Sequence, residues 1–60
     1  KVPVDTPIIV EMPYVTVRRY FAKYDGETLF YFSYGATSWS SKNVMGVKPC
    51  NVRLAENERD

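Results

Sequence analysis

Histidine is absent from this sequence, and Cys50 is its only cysteine. The first absence removes the side chain best suited to proton transfer near neutral pH, and with it any Ser-His-Asp triad or Cys-His pair. Together the two absences exclude a structural zinc site within one copy, because such sites gather thiolate and imidazole ligands. A lone cysteine cannot close a bridge inside the chain, so this is no disulfide-stapled secreted scaffold, and a reducing, intracellular setting is expected. An excess of one charge is missing too: Lys plus Arg number 8 against 7 for Asp plus Glu, a net charge near +1. Such a balance gives no long-range pull on DNA or on an anionic membrane, and it does not describe an acidic mimic of DNA. No apolar run approaches the roughly 18 residues that a spanning helix needs, so no membrane partner is expected. Lys1-Val2-Pro3 does not begin a signal peptide, and an opening without methionine reads as a processed or excised domain.

What the sequence does have is aromatic surface: five tyrosines, three phenylalanines and one tryptophan in 60 residues, of which 45% are hydrophobic. A chain this short holds one domain near the lower size limit for folding without staples, and large rings are an economical way to fill its core. Residues 1–55 are expected to form a single small β domain. The charged segment 56–60 has no apolar anchor and should be a flexible tail.

Turn and strand signals alternate densely along the chain, without internal repeats. Asp5-Thr6-Pro7 is a turn, with Asp5 in an Asx-type role, and Ile8 to Met12 form a β-branched first strand that Pro13 stops. From Tyr14 to Tyr24 neither alternating set is cleanly apolar, so a bulge or sharp bend near Arg18-Arg19 is expected to switch faces. Asp25-Gly26 is the strongest local signal, a tight hairpin turn needing positive φ. Thr28 to Tyr34 then reads as the central strand. Val44 to Val47 reads as a fourth strand, Lys48 to Asn51 as a one-turn connector, and Val52 to Leu54 as a short last strand. No segment shows helical spacing. The expected fold class is all-β: a small SH3-like barrel, or a strongly twisted antiparallel sheet, of about five short strands. Its expected core is Ile8, Val10, Val17, Phe21, Phe30, Phe32, Trp39, Val47, Val52 and Leu54, with Trp39 capping one end and Cys50 buried as a small hydrophobe.

The aromatics exceed what one face of so small a core absorbs, so some rings must be exposed. Tyrosine-lined surfaces suit proline-rich peptides and, equally, the stacked bases of a single strand. The candidate binding residues are Arg18, Arg19, Tyr20, Tyr24, Tyr31 and Tyr34. Asp5, Glu11, Asp25 and Glu27 offer no cleft that would raise the pKa of one carboxylate, and the hydroxyls around Trp39 have no base beside them. No catalytic residue, metal or cofactor is therefore expected.

Four blocks taken in order carry a family resemblance: Asp5-Thr6-Pro7-Ile8-Ile9-Val10, Arg19-Tyr20-Phe21-Ala22, Gly35-Ala36-Thr37-Ser38-Trp39-Ser40, and Cys50 with Arg53-Leu54-Ala55-Glu56. As a set they resemble a small domain of phage and prophage proteins with the pattern DTPVLV, RYFA, GATSW and CRLAE. This chain departs from the pattern before the cysteine, where Val47-Lys48-Pro49 replaces an aromatic, and after it, where Asn51-Val52 is inserted. The resemblance implies a phage or mobile-element origin and the cytoplasm of a bacterial host, and it brings no catalytic residue.

The leading expectation is thus a non-enzymatic binding module, an accessory phage or prophage protein that contacts a protein partner through exposed tyrosines. The alternative is single-stranded nucleic-acid binding, with the same tyrosines as stacking platforms and Arg18, Arg19, Lys23 and Arg53 on phosphates. A third reading is a self-associating piece whose edge strands pair between copies.

Overall fold

Proline brackets the first strand and the Asp-Gly turn bends the chain back after the second, so the sheet grows by local hairpins. The computed structural model describes residues 2–55, and the segment 56–60, expected to be a tail, lies outside the described residues. The strands are β1 (Pro7–Glu11), β2 (Thr16–Asp25), β3 (Thr28–Phe32), β4 (Val44–Val47) and β5 (Val52–Leu54). All pair antiparallel in one five-stranded sheet of order β4-β3-β2-β1-β5, so the sheet is open, with β4 and β5 as its edges. The all-β, five-stranded expectation holds. The bounds of β4 and β5 and the turn at Pro49–Asn51 fall where the sequence puts them.

The expected strand order and bulge need correction. The central strand is β2, not the segment from Thr28, because the ten-residue β2 is long enough to pair with β1 along its first half and with β3 along its second. β3 itself stops at Phe32, where Ser33–Gly35 turn as a 3-10 segment. The bulge lies between Phe21 and Lys23, not at Arg18-Arg19. Arg18 and Arg19 stay in regular register opposite Ile9 and Ile8. Ala22 is the extra residue, and it has a large effect on which side chains face inward. Strict alternation would put Lys23 on the inner face with Phe21, whereas the added residue turns Lys23 outward and Tyr24 inward.

The bulge at Ala22 adds local twist where β2 passes from β1 to β3, and the chain is nearly isometric, with extents of 28 × 25 × 25 Å. Ile8, Val10, Phe21 and Tyr31 form the buried cluster, and Met12, Val17, Leu29, Val47, Val52 and Leu54 pack around it. Ile8 and Val10 are the largest fully buried side chains, which follows from β1 lying between β2 and β5. Ile9 and Ala55 are also buried, though neither stood out in the sequence. Phe32 is buried, as expected. Phe30 is only half-buried and belongs to the outer face, where its ring lies 5.2 Å from the Lys23 ammonium.

Trp39 is the plainest miss: it is 92% exposed and caps nothing. The loop around it closes on itself, with the Ser40 and Ser41 amides donating to the Thr37 carbonyl and the Trp39 amide donating to Thr37 Oγ1, which leaves the indole at the tip. Cys50 is exposed rather than buried, because the Pro49–Asn51 turn lies outside the sheet. Asp5 does not close an Asx turn on its own segment. Its carboxylate reaches across the chain to accept from the Ser38 amide (2.8 Å) and the Ser38 hydroxyl (2.5 Å), tying the N-terminal turn to the loop.

Candidate functional site

The turn at Gly26-Glu27 sets the end of the β2–β3 hairpin. Asp25 pairs with Thr28, and Gly26 alone supplies positive φ (62°), as in turns whose first central residue is glycine. One step back along the ladder Tyr24 stands opposite Leu29, and beyond the bulge Phe21 stands opposite Tyr31. Residues directly opposite share a face, so Tyr24, Leu29, Phe21 and Tyr31 all lie on the inner side of the second half of the sheet. Tyr31, at the centre, is 3% exposed, whereas Tyr24, near the hairpin end, is 58% exposed.

Between them the sheet leaves an apolar groove of about 560 Å³ lined by Val2, Phe21, Tyr24 and Leu29. Its walls are aliphatic and aromatic, and the Tyr24 hydroxyl is the single side-chain polar group among them. A groove of this size and lining desolvates apolar groups and offers one hydrogen bond for orientation. A second hollow, of about 340 Å³, lies on the outer face between Ala22, Lys23, Phe32, Ser38, Ser41, Lys42 and Val44. It differs in chemistry, since two ammonium groups and two hydroxyls border it.

The six residues singled out in the sequence do not converge. Arg18 and Tyr20 share the outer face of the first half, opposite Ile9 and Pro7, with Arg18 exposed and Tyr20 half-buried. Arg19 points to the other side beside Ile8, and its guanidinium folds back to donate to the Arg18 carbonyl at 2.8 Å. Tyr24 lines the groove. Tyr34 is 92% exposed in the turn after β3, held at a positive φ of 59° that a bulky residue rarely adopts. Tyr31 needs correction: it is buried in the core and cannot be presented to a partner. Its position opposite Phe21 forces the ring inward. Phe30 and Phe32 share the other face of β3, where Phe30 is half-buried and Phe32 is buried.

Three of the candidate cations, Arg18, Lys23 and Arg53, share the outer face, and Arg19 does not. Arg53 forms an ion pair with Glu11 on the outer face, Arg19 lies toward the inner face, and Lys23 sits beyond the bulge over Phe30. The groove-lining residues that sequence reasoning missed as a site are Val2, Phe21 and Leu29. Only the position of the bulge reveals them, because it alone brings Tyr24 to the same face. Among the described residues no three His, Cys, Asp or Glu side chains gather as metal ligands, and no helix is long and apolar enough to cross a membrane. Comparison with protein-family models, with curated proteins and with solved structures gives no match.

Proposed function

We propose that this domain is a non-enzymatic binding module that takes an extended, apolar segment of a protein partner in the Tyr24 groove. The observation that carries this reading is the groove itself, in which Val2, Phe21, Tyr24 and Leu29 leave about 560 Å³ of apolar space beside a tyrosine that is 58% exposed. Tyrosine at the rim of an apolar groove is a common anchor for peptides, because a rigid ring is desolvated at small entropic cost while its hydroxyl stays in contact with water or a carbonyl. None of Arg18, Arg19, Lys23 and Arg53 lines the groove; Arg53 is paired with Glu11, Lys23 lies over Phe30 and Arg19 is on the face opposite the other three, which favours an apolar protein segment over a phosphate backbone as the groove's occupant. A phage or prophage accessory role in a bacterial cytoplasm is part of the same proposal and rests on the four sequence blocks.

The test is an amide NMR titration of the labelled domain with a proline-rich peptide and, separately, with a single-stranded oligonucleotide, each at low and physiological salt. The proposal expects peptide-induced shifts at Phe21, Tyr24 and Leu29 that change little with salt and weaken roughly tenfold or more in Tyr24→Ala. Shifts at Arg18 and Arg53 with the oligonucleotide, falling steeply as salt rises, would overturn it in favour of nucleic-acid binding.

A further inference from the structure

Among the described residues β4 is an edge strand with no strand on its outer side. Val44-Met45-Gly46-Val47 contains no charge and no proline, the usual devices that keep a sheet edge from pairing. The direction of its free groups follows from its ladder with β3. The Ser33 amide donates to the Asn43 carbonyl at 3.0 Å, which makes this a hydrogen-bonded pair. Alternation then makes Tyr31–Met45 and Leu29–Val47 bonded pairs, while Val44 and Gly46, opposite Phe32 and Phe30, turn their N–H and C=O groups to the open side. The side chains flanking this row are also uncovered, with Met45 50% and Val44 38% exposed. Gly46 is sterically required, since a Cβ there would stand 2.9 Å from Thr28 Cγ2 and 3.2 Å from the Phe30 ring.

The charges around the strand select its partner. Lys42 precedes β4 and Lys48 follows it, so the edge is apolar in the middle and positive at both ends. A second copy pairing antiparallel through Val44 and Gly46 would set Val44 opposite Gly46 and, in the same register, Lys42 opposite Lys48 at both ends. Two like-charged pairs oppose that arrangement. At the Lys42 end, moreover, Lys42 and Val44 border the outer hollow together with Lys23, Ser38 and Ser41, so a carboxylate there would meet two ammonium groups. Ser38 at that hollow already donates its amide and its hydroxyl to the Asp5 carboxylate.

We infer that β4 accepts an antiparallel strand from a protein partner, apolar in the middle and carrying a carboxylate side chain at each end, through the outward N–H and C=O groups of Val44 and Gly46. Main-chain bonds would supply affinity and the lysines would supply register. The inference stands on the β4 edge and does not need the Tyr24 groove.

The probe is a blocked synthetic peptide, Glu-Val-Thr-Val-Thr-Val-Glu, and its counterpart with Lys at both ends, each titrated into the full chain while amide exchange is followed by NMR. The Glu-ended peptide should slow exchange at Val44 and Gly46. It should bind roughly tenfold more tightly than the Lys-ended one at low salt, and the preference should reverse in the double variant Lys42→Glu, Lys48→Glu. Tyr24→Ala should leave this protection in place, which separates failure of the groove from failure of the edge. Equal affinity for the two peptides, or binding without protection at Val44 and Gly46, would overturn the inference. So would protection of those amides in the peptide-free chain together with a mass that rises with concentration, the signature of pairing between copies.

Discussion

The two halves of the sheet share β2 and differ in how fully they are covered. In the half formed by β5, β1 and the first part of β2, Ile8 and Val10 are 1% and 0% exposed, and the outer face closes with the Arg53–Glu11 ion pair. In the half formed by the second part of β2, β3 and β4, Tyr24 is 58% and Met45 50% exposed, and although each half ends in an edge strand, β4 is the one flanked by exposed apolar side chains. One core serves both halves, since Tyr31 and Phe21 pack with Ile8 and Val10. The difference therefore lies in what stays uncovered once the core is filled. A domain of this size has little stability to spare, so it gains most from burying β1 on both sides and can leave the distal hairpin and β4 open for contacts.

The comparison breaks most severely if its closed half is emptied. Ile8→Ala should cost about 2–5 kcal/mol by leaving a cavity under β1, enough to unfold much of the population, whereas Met45→Ala should cost less than about 1 kcal/mol. Denaturant titration of the two variants measures the contrast directly, and similar losses would show that the halves are equally loaded. Next in size is Gly46→Ala, expected to cost about 1–3 kcal/mol because the new methyl meets Thr28 and the Phe30 ring. A loss in the same assay no larger than that of an exposed-site alanine would mean that the outer face of β3 and β4 yields easily. Asp5→Ala should cost about 1–2 kcal/mol, since the Ser38 amide and hydroxyl both lose their acceptor. Changed amide shifts confined to Thr37 to Ser41 would show that the carboxylate holds the loop and not the core. The smallest effect runs the other way. Tyr34→Asn should stabilise the fold by about 0.5–1 kcal/mol, because asparagine tolerates the left-handed conformation that Tyr34 occupies at φ 59°. A thermal melt checks its sign.

Much of the closed half was legible in the sequence. Ile8, Val10, Val17, Val52 and Leu54 are β-branched or aliphatic residues at alternate positions of short strands, and a period of two assigns them to one face without ambiguity. The open half was harder for a stated reason. Phe30-Tyr31-Phe32 offers a large ring at every position, so the pattern does not say which parity faces inward, and the pairing with Phe21 decides for Tyr31. The bulge was misplaced because Arg19 on the inner face looks like a break in the pattern. In the structure its side chain lies half-buried and bonds the Arg18 carbonyl, and the real break falls at Ala22, a residue with no turn signature. The groove was hidden with it, since Tyr24 joins Phe21 and Leu29 only after that extra residue. Trp39 and Cys50 were assigned to the core by the average behaviour of their residue types, which the local hydrogen bonds of their turns override.

Native-state hydrogen exchange, read amide by amide in the peptide-free protein, tests most directly whether one half holds the fold while the other stays open. The account predicts that the β1 amides, flanked by β2 and β5, exchange only through global unfolding, while Val44 and Gly46 exchange orders of magnitude faster. Protection at Val44 and Gly46 equal to that of β1 would contradict it, because the β4 edge would then be closed already.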